Sequence, residues 1–310
     1  MSDDDLKEVE NLETVMAKST KKRKPRATGF PPATEKKTVP LAQPAKPPMR
    51  WGLLALFLTI AIGGTYLAIV MRPRTKVPRY DHEVVKTYEH DPAAFTQGLL
   101  VHDGFLWEST GRNGESSIRK IELESGKILN QHDLEDKYFG EGLAVHEGLF
   151  YQLTWKAGKA FVYDPDFKVV GERSYEGEGW GLTSNGTDLI LSDGSTYLKF
   201  LDPETFEVRR RIRVLRADGY PIGRLNELEY HGGRIYANDY DRDLMYEIEP
   251  ADGDVTKLID LSGLWPHSER PRDAILNGIA LNPKTQSLLV TGKLCPTIFE
   301  IRMSPVEEKK

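Results

Sequence analysis

Five side chains of complementary chemistry hold matching places in the chain. Glu141 sits between two glycines in Phe139-Gly-Glu-Gly-Leu143. Gln97 takes the same place in Phe95-Thr-Gln-Gly-Leu99, Trp180 in Gly179-Trp-Gly-Leu182, Asn226 in Leu225-Asn-Glu-Leu228 and Asn277 in Leu276-Asn-Gly-Ile279. Trp155, Tyr240 and Lys293 stand at the ends of β-rich runs that follow such motifs. A positioned carboxyl can take a proton from one atom and deliver it to another. An ammonium or amide donor can stabilise an oxyanion. Carboxylate, amide, ammonium and aromatic groups in one cleft make a ligand site, provided that the fold brings them together.

The spacing of the motifs suggests how. Taking Gly98, Gly142, Gly181, Glu227 and Gly278 as equivalent, the intervals are 44, 39, 46 and 51 residues. After each motif come a polar turn and a second apolar run, such as Gly148-Leu-Phe-Tyr-Gln-Leu-Thr-Trp155. A third run follows, such as Tyr197-Leu-Lys-Phe-Leu-Asp-Pro203, and then a short fourth, such as Val208-Arg-Arg-Arg-Ile212. Alternation of branched and aromatic residues between Gly, Asp and Asn turns reads as strands. Four strands in each unit of ~40–50 residues are the pattern of a propeller blade. The fold class expected is therefore all-β, a five-bladed β-propeller over residues 83–304. The fifth unit ends at Phe299-Glu-Ile-Arg302 without a fourth strand, which residues 83–88 can supply from the opposite terminus. A β-sandwich, the competing fold, gives no reason for five similar units.

The rest of the chain differs in composition. The net charge of −5 hides a split, since residues 1–79 hold 15 Lys/Arg against 7 Asp/Glu. The remainder is strongly acidic and would repel phosphate, so nucleic acid is a poor partner. Residues 1–50 are polar, Pro-rich and basic, and read as a disordered tail. Residues 51–71, Trp51 to Met71, carry no charge and lie between Arg50 and Arg72. Such a run is long enough to span a bilayer as a transmembrane helix, and it starts too far along the chain for a cleaved signal peptide. The reading is a single-pass signal-anchor, with residues 72–82 as linker and 305–310 as C-terminal tail. Basic residues flank the run almost equally, but the whole tail favours a cytoplasmic N-terminus and a propeller on the extracytoplasmic, periplasmic side. One Cys excludes an intrachain disulfide. The seven His show no zinc-ligand spacing.

Phe95-Thr-Gln-Gly-Leu99, Phe139-Gly-Glu-Gly-Leu143, Leu225-Asn-Glu-Leu-Glu229 and Leu276-Asn-Gly-Ile279, taken together with Tyr236-Ala-Asn238 and Thr291-Gly-Lys-Leu294, resemble the plant-type (papaya-type) glutaminyl cyclases, which also occur in bacteria. The resemblance covers residues 83–302. It implies a five-bladed propeller and glutaminyl-peptide cyclotransferase activity, an acyltransferase reaction in which N-terminal Gln becomes pyroglutamate and ammonia leaves. The substrates it implies are peptides or proteins with N-terminal Gln, and it implies no catalytic metal or other cofactor, although the channel is compatible with a structural calcium. Glu141 matches the family's catalytic Glu and is expected to relay the proton. Lys293 matches an active-site Lys. Gln97 and Asn226 are expected to hold the substrate's amide and amine, and Phe95, Phe139, Trp155, Trp180 and Tyr240 to wall the pocket.

Two positions depart from the family pattern. After Tyr-Ala-Asn this chain has Asp239-Tyr240, and after Gly-Lys-Leu it has Cys295, where the family has Trp. Tyr240 is expected to keep an aromatic wall, and Cys295 to leave the pocket wider. Two other classes compete. A calcium-dependent, lactonase-like propeller hydrolase would use Glu141, Asp193, Asn226 and Asn277 as oxygen ligands. A non-catalytic, membrane-tethered binding propeller would account for the lost Trp residues. Oligomeric state is not legible.

Overall fold

The computed structural model describes residues 76–307. The expected tail and membrane anchor, residues 1–50 and 51–71, lie outside the described residues. Among the described residues no helix is long and apolar enough to cross a membrane. Among the described residues the regular elements are twenty strands and one 3-10 turn, His267–Glu269.

Strand β1 (Arg79–Glu89) precedes four groups of four strands and a last group of three. The first group is β2 (Thr96–His102), β3 (Phe105–Thr110), β4 (Ser117–Glu122) and β5 (Lys127–Asp133). The second is β6 (Gly140–His146), β7 (Leu149–Thr154), β8 (Lys159–Tyr163) and β9 (Val169–Ser174). The third is β10 (Leu182–Ser184), β11 (Leu189–Ser192), β12 (Tyr197–Leu201) and β13 (Val208–Arg213). The fourth is β14 (Leu225–His231), β15 (Arg234–Asp239), β16 (Leu244–Ile248) and β17 (Val255–Asp260). The last is β18 (Leu276–Asn282), β19 (Ser287–Gly292) and β20 (Thr297–Pro305).

The first three groups are separate four-stranded antiparallel sheets. The others share an eight-stranded sheet, β14-β15-β16-β17-β1-β20-β19-β18. Strand β1 pairs antiparallel with β20 from Tyr80↔Pro305 to Glu89↔Thr297, so the last group does take its outer strand from the other end of the chain. This strand begins at Arg79 rather than at 83, because Arg79 and Tyr80 also pair in parallel with Leu258 and Ile259 of β17. Strand β20 likewise runs on to Pro305. The first strands of the groups, β2, β6, β10, β14 and β18, contact one another in sequence, and β18 contacts β2. The strand groups therefore close into a propeller-like ring.

Local sequence accounts for the hairpins. Asp103-Gly104, Glu147-Gly148 and Gly232-Gly233 join the first two strands of their groups, and both residues of each pair have positive φ. Two-residue turns of that kind match the twist of the flanking strands. Alternation along each strand then feeds two cores. Leu100, Trp107 and Ile118 of the first group pack with Leu143, Phe150 and Phe161 of the second. The neighbouring residues Leu99 and Leu106 turn the other way, onto Ala280, Leu289 and Ile298 of the last group. Ala144 and Tyr151 similarly face the third group through Leu182 and Leu189. Further clusters join the third group to the fourth and the fourth to the last. Every group is thus held by apolar contact on both faces, the main source of stabilisation in such a layered fold.

Candidate functional site

The pairing of first and second strands slips at every motif that carries an amide or carboxyl. Thr96 pairs with Thr110 and Gly98 with Ser109, leaving Gln97 out of the ladder. The same irregularity lies between Gly140 and Leu143, between Leu225 and Leu228, and between Leu276 and Ile279. It therefore contains Glu141, Asn226 and Asn277. A bulge frees a residue from the ladder and redirects its side chain.

These side chains meet those from the far ends of the second strands. A cavity of 240 Å³ is lined by Phe95, Gln97, Phe139, Glu141, Trp155, Trp180, Arg224, Asn226, Tyr240 and Lys293. The nine residues to which the family resemblance gives a role all line it, and Asn277 does not. Gln97 Nε2 donates to Glu141 Oε1 at 2.9 Å. Gln97 is itself held by Asn277, whose Nδ2 donates to Gln97 Oε1 at 3.2 Å and to the Thr96 carbonyl at 3.0 Å. The expected amide of Asn277 thus supports the pocket from behind and does not line it. Asn226 is buried, and its Oδ1 has no hydrogen-bond partner. A buried acceptor left open costs ~1–3 kcal/mol, so a ligand N–H is its natural complement.

Burial pushes the Glu141 carboxyl well above the ordinary carboxylate range, with Lys293 opposing and Glu178 adding to the shift. Burial also pulls the Lys293 ammonium down to about 8, against the pull of Glu141. Lys293 Nζ lies 5.0 Å from the Phe95 ring centre and 5.1 Å from that of Tyr240. Phe95 meets Phe139 edge to face at 6.1 Å between centres, and Phe139 meets Trp155 at 5.6 Å. Trp180 and Tyr240 form the facing wall, 5.4 Å apart.

Two residues that sequence reasoning missed complete the site. Arg224 lies over the Tyr240 ring at 4.5 Å and is paired through two bonds of 3.1 Å with Asp241. Glu178 accepts hydrogen bonds from Trp155 and Trp180. Both lie in connections between groups, outside the repeated motifs.

Cys295 does not shape the pocket. Its side chain is fully buried, packed with Leu264, Trp265 and Leu276 between the last two groups. The cause is the turn after Lys293. Leu294 adopts positive φ, Leu294 N–H donates to the Ala94 carbonyl at 2.7 Å, and Cys295 N–H donates to Gly292. The chain reverses there and sends residue 295 inward, so Cys295 leaves no wider wall. Asp193 also lies outside the cavity, paired with Lys199 at 2.8 Å. It borders a larger cleft of 600 Å³ toward the outer strands, where no comparable convergence of carboxyl, ammonium and amide groups occurs. Among the described residues no three His, Cys, Asp or Glu are grouped to hold a metal ion.

A closed ring of antiparallel strand groups, with a polar-floored aromatic cleft at the ends of its inner strands, defines a propeller-like protein with a candidate small-ligand site. The comparisons with known proteins narrow that class. The family model for glutamine cyclotransferase matches residues 56–303, starting within the apolar run and well before residue 83. A curated glutaminyl-peptide cyclotransferase of Arabidopsis thaliana is 38% identical over 234 residues, 73% of this chain and 72% of that protein. The crystal structure of Myxococcus xanthus glutaminyl cyclase is similar with a TM-score of 0.70 and 36% identity, over 75% of this chain and 100% of that one. The chain belongs to the glutamine cyclotransferase family.

Proposed function

We infer that this protein is a glutaminyl-peptide cyclotransferase that converts the N-terminal Gln of peptides or proteins to pyroglutamate. The observation that carries the reading is the meeting of Glu141, Lys293 and an unpartnered Asn226 Oδ1 in one aromatic cavity, in a chain of this family. The Gln side chain enters between Phe95, Phe139 and Trp155 on one side and Trp180 and Tyr240 on the other. The neutral α-amine attacks the γ-carboxamide carbon, forming the ring C–N bond. Glu141 takes the proton that the attacking nitrogen sheds and delivers it to the departing –NH₂, which leaves as ammonia. Lys293 stabilises the oxyanion that exists between the two steps. Asn226 Oδ1 accepts from the carboxamide –NH₂, and Gln97, braced by Asn277, fixes the Glu141 carboxyl. None of these steps uses a metal.

The strand groups are read as five blades around the channel, with β1 completing the last. The closed cycle of the five first strands and the five inter-group cores support that count. Residues 51–71 are proposed as a single-pass anchor that holds the catalytic domain on the extracytoplasmic side.

The test is turnover of a Gln-initiated peptide, followed as ammonia release and the matching mass loss, with and without chelator. Turnover is expected to persist with chelator, and its loss would favour the calcium-dependent hydrolase. Glu141→Gln is expected to lose ~100-fold or more in kcat. A folded-state carboxyl pKa raised above the unfolded one costs stability as pH rises from the unfolded value through the raised value. Glu141→Gln removes that cost, so it is expected to melt at an equal or higher temperature at neutral pH. Near-normal turnover in this variant would refute the relay.

A further inference from the structure

Trp155 and Trp180 belong to different strand groups, yet one oxygen holds both. Trp155 Nε1 donates to Glu178 Oε2 at 2.7 Å, and Trp180 Nε1 donates to the same oxygen at 2.9 Å. An indole N–H can only donate, so its ring orientation follows the acceptor. The other Glu178 oxygen faces Lys156 Nζ at 3.8 Å, and that ammonium lies 3.8 Å over the Trp155 ring. Burial opposes ionisation of Glu178, but the two indole donors and Lys156 outweigh it and hold the carboxyl below its ordinary value.

The connection that carries Glu178 is shaped for this task. Gly179 N–H donates to the Trp155 carbonyl at 3.0 Å. The Tyr175 hydroxyl donates to the Thr154 carbonyl and accepts from Thr154 N–H. A β-carbon at Gly179 would overlap that hydroxyl, and Gly177 has φ +86°. The segment is therefore fastened to the strand end that presents Trp155, next to the residue that presents Trp180.

We propose that Glu178 is a positioning residue of the cyclisation site, its carboxylate setting the orientation and separation of the two indoles that grip the Gln side chain. This rests on the reading of the cavity as the cyclisation site. A second consequence follows from its charge. Lys293 and Arg224 share the cavity with Glu141, the Gln97 amide bonds its carboxyl, and Glu178 and Tyr175 lie within electrostatic reach of it. The negative charge of Glu178 favours the protonated form of Glu141, so neutralising it lowers the pH at which Glu141 becomes a base.

The test compares full-length wild type, Glu178→Ala and Glu178→Gln. Glu178→Ala is expected to raise KM for a Gln-initiated peptide on the order of 10-fold, the loss of two charge-assisted bonds, and to alter the near-ultraviolet circular dichroism of the tryptophans. The amide oxygen of Glu178→Gln can accept both indole bonds. That variant is expected to restore the wild-type spectrum and bring KM to within ~3-fold of wild type, while the acid limb of its kcat profile moves to lower pH. Unchanged KM and spectrum in Glu178→Ala, or a Glu178→Gln as impaired as Glu178→Ala with an unshifted acid limb, would overturn the proposal. Should Glu178→Ala not fold, Trp180→Phe in wild-type and Glu178→Gln backgrounds reads the same bond. Its cost in KM is then expected to be similar in both, and no cost in either overturns the proposal. Absence of turnover in wild type would instead sink the cyclisation reading, and the spectra would still report on the clamp.

Discussion

Lys293 and Glu141 are buried in the same cavity, and burial moves them in opposite directions, the carboxyl up and the ammonium down to about 8. The relay needs Glu141 without its proton and Lys293 with one. Turnover at saturation should therefore fall as pH drops below the raised Glu141 value, and fall again as pH rises through about 8. Arginine keeps its charge throughout this range. In the residual activity of Lys293→Arg, the alkaline limb of the kcat profile should vanish while the acid limb stays. An alkaline limb still near 8 would remove Lys293 from that titration. The lining residues were legible because the repeated motifs put chemically distinct residues in one register, and a ring superimposes such positions. Arg224 and Glu178 were not, since no repeat marks them. Cys295 was misplaced because its neighbour Leu294 takes a left-handed conformation that the order of residues does not reveal.

Strand periods were visible in the alternation of apolar residues, but the bulges were not. A two-residue pattern read along one strand says nothing about its partner's register. The glycines of the motifs acquire their meaning only here. A β-carbon at Gly98 would overlap Leu143 backbone, one at Gly142 the Leu182 backbone, and one at Gly181 the Asn226 carbonyl. Inner strands approach this closely because the channel is narrow, and glycine permits it. At the equivalent place in β14 the chain has Glu227 instead. Its carboxyl oxygens reach across the channel to accept from the Leu99 N–H at 3.1 Å and the Ile279 N–H at 2.8 Å, tying β14 to β2 and β18. Gly181→Ala should then act on the site through the element. Forcing a methyl into this contact costs about 1–3 kcal/mol, read as a lower urea midpoint. It also displaces Asn226, so kcat/KM should drop on the order of 10-fold or more. Wild-type kinetics with lowered stability would separate the ring's packing from its chemistry.

At the scale of the molecule, the net charge of −5 describes no part of it, since a basic first segment precedes an acidic ring. What joins the two ends of that ring is β1. Its Tyr88 hydroxyl donates to Glu300 Oε2 at 2.6 Å, within the same antiparallel pairing that closes the last group. Just beyond it, His90 bonds the Cys295 carbonyl through Nδ1 at 2.6 Å and Glu108 of β3 through Nε2 at 2.9 Å. Burial resists protonation of His90, but Glu108 and the Cys295 carbonyl outweigh it and raise its pKa. The first and last groups are therefore latched beside the turn that presents Lys293. Closure by a strand from the other terminus makes the ring's stability depend on residues far in sequence from the site. A chain begun at residue 76 retains β1, and one begun at residue 90 lacks it. The shorter chain leaves β20 with an open edge and exposes Ile298 and Leu289, both buried against Tyr88. Its thermal transition should fall by on the order of 10 °C, several kcal/mol at ~2–4 °C per kcal/mol for a domain of this size. Ammonia release should decline with it, because Lys293 sits on the loosened group. Equal melting temperatures for the two chains would show that the ring closes without β1.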